Sequence, residues 1–182
     1  NPKFVKSLKS RAMRFFHLFA DYVVMNSFTN RDMIKKINPY IPNRKLKVIY
    51  NAIDLDKFKP PNEFLFKKDG KVKIIIPASY RRLKNLIRLI EAVNLLTNQE
   101  KDSLKIDWFG DKSNHNAPDF VLYEAEKLVD KYHLEQVFAF HDATRQIEDK
   151  IQQADVVGLF SIFEGLPNAI CEGMACGKPV LS

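Results

Sequence analysis

The chain has 182 residues, 29 Lys+Arg against 22 Asp+Glu, 46% apolar and 12% aromatic side chains, and two cysteines. That is enough apolar surface to bury a core, which excludes a disordered, collagen-like or mucin-like chain. No apolar run reaches the ~18 residues of a membrane-crossing helix, and no secretory leader pattern opens the chain. Cys171 and Cys176, five apart, suit neither a disulfide scaffold nor a zinc ribbon. A soluble α/β protein of a reducing, cytoplasmic compartment is the expectation. The charge is uneven: residues 1–60 carry a balance of +9 and the remainder −2. Any anionic partner surface, membrane lipid or nucleic acid, therefore falls to the first third.

In chain order, Phe4, Leu8, Ala12, Phe15, Phe16 and Phe19 recur at helical spacing and predict a helix over residues 3–19, with Lys3, Lys6, Ser10 and Arg14 opposite. "DYVVMNS" predicts a short buried strand, "TNRDMIKKI" a short helix, and "KLKVIYNAI" another strand. Paired Pro60 and Pro61 then interrupt any regular element, where the charge balance also changes. From residue 71 the pattern is regular. Strands are predicted over "KVKIIIPAS", "LKIDWFGD", "QVFAFHD", "DVVGLFS" and "KPVLS". Helices are predicted over "NLIRLIEAVNLLTNQ", "PDFVLYEAEKLVDKYH", "ATRQIEDKIQQA" and "NAICEGMAC". Nearly continuous apolar strands alternating with amphipathic helices indicate a parallel sheet covered on both faces, hence a doubly wound, Rossmann-like α/β fold. The predicted boundaries are the tail of a first α/β domain over residues 1–58, a linker over 59–70 and a Rossmann-like domain over 71–182. Because the chain stops within a fifth strand, it reads as a fragment, its second domain cut short.

In such a sheet, ligands bind beyond the carboxyl ends of the strands. Three loops reach that edge. In "SIFEGLPNAICEGMACGKPV", Gly165 allows close backbone approach, Leu166 and Pro167 complete the turn, and Asn168 is placed to cap the following helix, whose N–H groups face a phosphate. Glu164 sits at the strand end and Glu172 one turn into the helix, while Gly177 is expected at the C′ position. In "PASYRRLKNLIRLI", Arg81, Arg82 and Lys84 crowd a strand-to-helix turn, a cluster suited to a diphosphate. The third loop, "DWFGDKSN", offers one glycine. A solvated basic loop and solvated helix acids are the plain alternatives.

These residues resemble the retaining group 1 (family 4) glycosyltransferases of the GT-B fold. Glu164, seven residues, and Glu172 followed by Met174, Ala175, Gly177, Pro179 and Val180 are similar to that family's nucleotide-sugar signature, with Gly173 where the family often has Ala. "ADYVVMNS", "KVIYNAIDLDKFKP", "KVKIIIPASYRRLKNL" and "ADVVGLFSIFEG" resemble further stretches of the same family, Ala52 standing for its interdomain glycine. The family's Gly-Arg before the loop lysine is replaced by Ala78 and Ser79, so Arg81 or Arg82 must supply the guanidinium. The resemblance implies donor binding by Arg81, Arg82, Lys84, Gly165, Leu166, Pro167, Asn168 and Glu172, with Glu164 and Lys84 at the chemistry. Glu164 then attends the sugar ring and Glu172 the ribose hydroxyls. It further implies a nucleotide-diphosphate sugar as substrate, no metal or other cofactor, and a saccharide or lipid-linked acceptor in cell-surface polysaccharide synthesis. A cytoplasmic location at the inner membrane face follows, and the fragment alone is expected to be inactive.

Other signals are weaker. Asp54 and Asp56 form a D-x-D in the proline-rich segment, where a linker role fits better than a metal. His17, His115, His133 and His141 lack ligand spacing, although His141 ends a strand at the functional edge. The helix over 3–19 reads first as a core helix of the first domain and second as a basic contact for an anionic membrane face. No nucleic-acid motif is present. A non-catalytic nucleotide- or anion-binding module and a GT-B-fold epimerase are the competing readings.

Overall fold

The structure, a computed structural model, describes residues 16–62 and 70–182. The chain divides into two compact units, Asn1–Ala52 and Ile53–Ser182. Most of the helix predicted over 3–19 lies outside the described residues. In the first unit, β1 (Val23–Met25) and β2 (Leu46–Val48) pair in parallel, joined through α1 (Phe28–Ile37). Ser27 caps α1, its hydroxyl accepting the Asn30 N–H at 3.1 Å. Met25, Ile41 and Leu46 form a small buried cluster with Leu18, Val23 and Ile34 against it.

The second unit holds five parallel strands: β3 (Val72–Pro77), β4 (Leu104–Phe109), β5 (Phe138–His141), β6 (Val156–Gly158) and β7 (Val180–Leu181). Their order is β5-β4-β3-β6-β7. The chain steps outward from β3 to β5, then returns to the other side of β3, so the topological switch lies between β3 and β6. Successive strand residues alternate between faces. Ile74, Ile76, Ile106, Trp108 and Phe138 enter a large core beneath α2 (Leu86–Asn94) and α4 (Leu122–Lys131), which contribute Leu86, Ile90, Val93, Leu122, Ala125 and Val129. Ile75 and Val157 face the opposite side and pack with Phe58, Ile151, Ala154 and Cys176, under α5 (Ile147–Gln152) and α6 (Asn168–Ala175).

Several elements are shorter than predicted, each for a local reason. The helix expected over 85–99 ends at Asn94, and a separate turn, α3 (Asn98–Asp102), starts at Thr97. There the Glu100 carboxylate accepts the Thr97 N–H at 2.8 Å while the Thr97 hydroxyl accepts the Glu100 N–H, a capping box that restarts the helix. The strand expected through Ser161 ends at Gly158; the Leu159 N–H still reaches the Leu181 carbonyl at 2.9 Å, and just past the expected end the Ile162 N–H turns to the Leu83 carbonyl at 3.0 Å. Residues 119–121 stay out of α4 because the Arg82 N–H binds the Asp119 carbonyl and the Val121 N–H the Tyr80 carbonyl. Gly177 has the expected left-handed backbone, with φ of 68°.

Two glycines mark close approaches. A Cβ on Gly110 would sit 2.4 Å from the Ala78 carbonyl oxygen, so the β4 end can lie against the β3 end only with glycine there. A Cβ on Gly173 would meet Val157 side-chain atoms at 2.8 and 2.9 Å, which explains why α6 carries no alanine at this position. Gly173→Ala is therefore expected to cost about 1–3 kcal/mol by overpacking. In a denaturation double-mutant cycle, most of that loss should be recovered when Val157 is also changed to Ala.

Candidate functional site

The loops after β3 and β6 meet at the switch point. After β3 the chain makes a single 3-10 turn, Arg82–Lys84, closed by Asn85 in the left-handed region with φ of 66°. Asparagine tolerates that conformation far better than branched residues do. Lys84 is thereby turned toward the β6 loop, where its ammonium donates to Glu164 Oε1 at 2.5 Å. Both side chains are about three-quarters buried, at 23% and 26% exposure. With the Ile162–Leu83 backbone bond alongside, two loops 80 residues apart in sequence are fastened across the crevice.

Tyr80 underpins this loop. It is 1% exposed, and its hydroxyl donates to the carbonyls of His141 (2.7 Å) and Trp108 (3.1 Å), bridging the ends of β5 and β4. Burial pushes its phenol above the usual range, so it remains a donor. Trp108 Nε1 donates to the Ala78 carbonyl at 2.6 Å and fixes the end of β3.

The remaining predicted residues do not all gather with Lys84. The Arg81 guanidinium binds Asp119 at 2.8 Å and that of Arg82 binds Glu124 at 2.7 Å. These are exposed pairs worth little in stability, but they turn both side chains toward the start of α4. Asn168 is the first residue of α6 rather than its cap. Pro167 occupies the cap, and the Asn168 N–H donates to the Leu166 carbonyl at 3.1 Å. The proline at the cap has no side-chain acceptor to offer, so the turn closes through backbone groups. Gly165, Leu166 and Pro167 form the half-buried turn between Glu164 and α6.

Glu172 has its own surroundings. Burial raises its pKa above the ordinary glutamate value, with nearby Glu148 acting in the same direction and Lys57 opposing both. Lys57 lies 3.3 Å from Glu148 Oε2 and donates to the Arg145 carbonyl, so the stretch just before the predicted linker contributes to this corner of the second unit. Asp54 accepts the N–H groups of Asp56 and Lys57 at 3.0 and 3.2 Å, which gives the D-x-D a turn-forming role. His141 ends β5 as expected, and there it binds Asp107 through Nε2 at 2.8 Å and stacks on Phe109. Asp119, Glu124, Glu148 and Lys57 were not readable as partners, since each lies far in sequence from the residue it meets. Among the described residues, no three His, Cys, Asp or Glu side chains group as metal ligands, and no helix is long and apolar enough to cross a membrane.

The model of the family described as glycosyl transferases group 1 matches residues 59–182. The chain belongs to that family. Its members' fold is equally plain in solved structures. Anabaena HepE in complex with UDP-glucose superposes with a TM-score of 0.81 at 20% identity, covering 99% of this chain and 50% of that one. S. aureus TarM, in complex with fondaparinux, alpha-GlcNAc-glycerol and UDP, gives 0.74 at 16% identity over 96% and 32%. Sucrose-phosphate synthase from Thermosynechococcus elongatus gives 0.74 at 18% identity over 97% and 44%. The chain thus spans half or less of the length of these neighbours. No curated protein matches it significantly. The five-stranded parallel unit is the Rossmann-like C-terminal architecture of GT-B glycosyltransferases.

The Glu172 environment gives a signed expectation. A carboxyl with raised pKa is penalised while ionised, so folding stability falls as pH rises through that elevated pKa and is regained on acidification. Glu172→Gln removes the penalty. In thermal melts without ligand the variant should melt above the parent chain near neutral pH, and the gap should shrink as the pH approaches the carboxylate range.

Proposed function

We propose that the second unit is the donor-binding half of a retaining GT-B glycosyltransferase that takes a nucleotide-diphosphate sugar. The observation that carries this reading is the Lys84–Glu164 ion pair across the switch-point crevice, immediately before α6, in a chain of the group 1 family. An ammonium held by a carboxylate is poised rather than free. An arriving diphosphate offers it a more highly charged acceptor and releases Glu164 to accept hydroxyl hydrogen bonds from the sugar. Glu172, ionised at a cost in the empty site, regains that cost when ribose hydroxyls donate to it. Arg81 and Arg82 would exchange Asp119 and Glu124 for phosphate oxygens.

In the reaction, negative charge grows on the departing diphosphate while the sugar becomes oxocarbenium-like. In this reading Lys84 stabilises that charge, aided by the N-terminal end of the α6 dipole, which is electrostatic preorganisation supplied by the chain itself. The UDP-glucose held by HepE supports a uridine diphosphate sugar as the first donor to try. The acceptor is proposed to be a saccharide or a lipid-linked saccharide of a cell-surface polysaccharide, reached at the cytoplasmic membrane face through the basic first third. The linker is proposed over residues 59–70, with the acceptor side before it.

A thermal-shift panel of nucleoside diphosphates and their sugars should show one preferred nucleotide. Lys84→Ala should weaken the diphosphate by about tenfold or more, the scale of one lost charge-assisted hydrogen bond, and the bare nucleoside much less. Glu172→Ala should weaken both. A flat panel with a well-folded chain, or equal losses for nucleoside and diphosphate with Lys84→Ala, would contradict the assignment. The chain alone is expected to show binding without transferase turnover.

A further inference from the structure

A second concentration of charge lies away from the switch-point crevice. On the face of the sheet opposite the large core, alternation brings Lys73 on β3, Lys105, Asp107 and Phe109 on β4 and His141 on β5 to one surface. With Lys71 ahead of β3 and Lys150 on α5, they line a cavity of about 510 Å³. The parallel register sets Lys73 directly opposite Lys105, and like charges facing each other across strands are destabilising. The floor supplies one carboxylate. Asp107, 5% exposed, binds the Lys73 ammonium at 3.1 Å and His141 Nε2 at 2.8 Å. Burial alone would raise its pKa, but the bonds from His141 and Lys73 hold it below the ordinary range, so it stays ionised. That single charge is already committed to Lys73 and His141. Among the described residues, Lys105 and Lys150 have no acidic partner within ion-pair distance. The cavity wall beside His141 is the ring pair of Phe109 and His141, centroids 4.4 Å apart.

We propose that this lysine-lined cavity is a second anion site, separate from the donor crevice, that binds a small phosphate-bearing ligand. Half-buried ammonium groups in excess, set opposite one another in a fixed register, are the arrangement that a multiply charged phosphate neutralises. The stacked ring pair offers a flat surface to whatever the phosphate is attached to. The phosphate can belong to a soluble phosphate ester or to a phosphomonoester lipid headgroup, and both would use the same lysines.

The test uses the 182-residue chain with two probes, inorganic pyrophosphate and vesicles of phosphatidylcholine with phosphatidic acid. Pyrophosphate titrated by calorimetry should bind a site that survives Lys84→Ala and is weakened about tenfold or more by Lys105→Gln and by Lys150→Gln. Vesicle sedimentation that depends on Lys105 and Lys150 assigns the lipid source, and its absence beside pyrophosphate binding assigns the soluble one. A further readout separates binding from structure: without ligand, Lys105→Gln should melt at or above the parent temperature, because a repulsion is removed. The proposal is overturned if neither probe binds, if binding is lost only with Lys84→Ala, or if Lys105→Gln destabilises the ligand-free chain. Since Lys84 belongs to the donor crevice and Lys105 to this cavity, failure here and failure of the donor assignment give different patterns.

Discussion

The second unit is organised around a topological constraint, the reversal of strand order between β3 and β6. Two neighbouring parallel strands whose connections leave in opposite directions cannot have their exit loops packed over one another, so a crevice opens at their carboxyl ends. Whatever closes that crevice must reach across it. Here the reach is made by Lys84, whose ammonium meets Glu164, and by the Ile162 amide on the Leu83 carbonyl. The placement of Asn85 in a left-handed turn, the burial of Tyr80 beneath the loop and the glycine at 110 all serve to hold the β3 loop where this contact is made.

Much of this was legible in the sequence, for reasons that differ by level. The alternation of Ile74, Ile75 and Ile76 between two cores is a property of the strand itself, so uninterrupted apolar runs sufficed to place the sheet. The glycine at 177 announced the end of α6 because few other residues adopt its backbone. Boundaries were less visible where long-range hydrogen bonds set them: the Arg82 amide on the Asp119 carbonyl and the Val121 amide on the Tyr80 carbonyl keep residues 119–121 out of α4, and nothing within "PDFVLYEAEKLVDKYH" reveals it. The Thr97–Glu100 capping box was present in the sequence but lay inside a continuous helical pattern that masked it.

The site shows the same division. Lys84 and Glu164 were each suspect from local chemistry, and the topology explains why they meet. Arg81 and Arg82 looked equivalent to Lys84 as loop cations, yet two or three residues of chain rotate them onto Asp119 and Glu124. The environment of Glu172 depends on Glu148 and Lys57, which no spacing rule connects to it. The lysines at 73 and 105 were invisible as a group because the near-neutral total for the second part of the chain averages away a face where one sign dominates.

The strapping of the β3 loop to the segment before α4 has a mechanical consequence. Arg81 and Arg82 with their acid partners, the Arg82 and Val121 amides and the Arg81–Phe120 bridge make those two stretches a single block. On the other flank, the β6 loop is held by one amide and one ion pair. The two sides of the crevice are therefore unequally braced. A guest entering there meets a cationic side braced through several contacts to the segment before α4, and opposite it a stretch from Ile162 to Pro167 joined to that side through fewer.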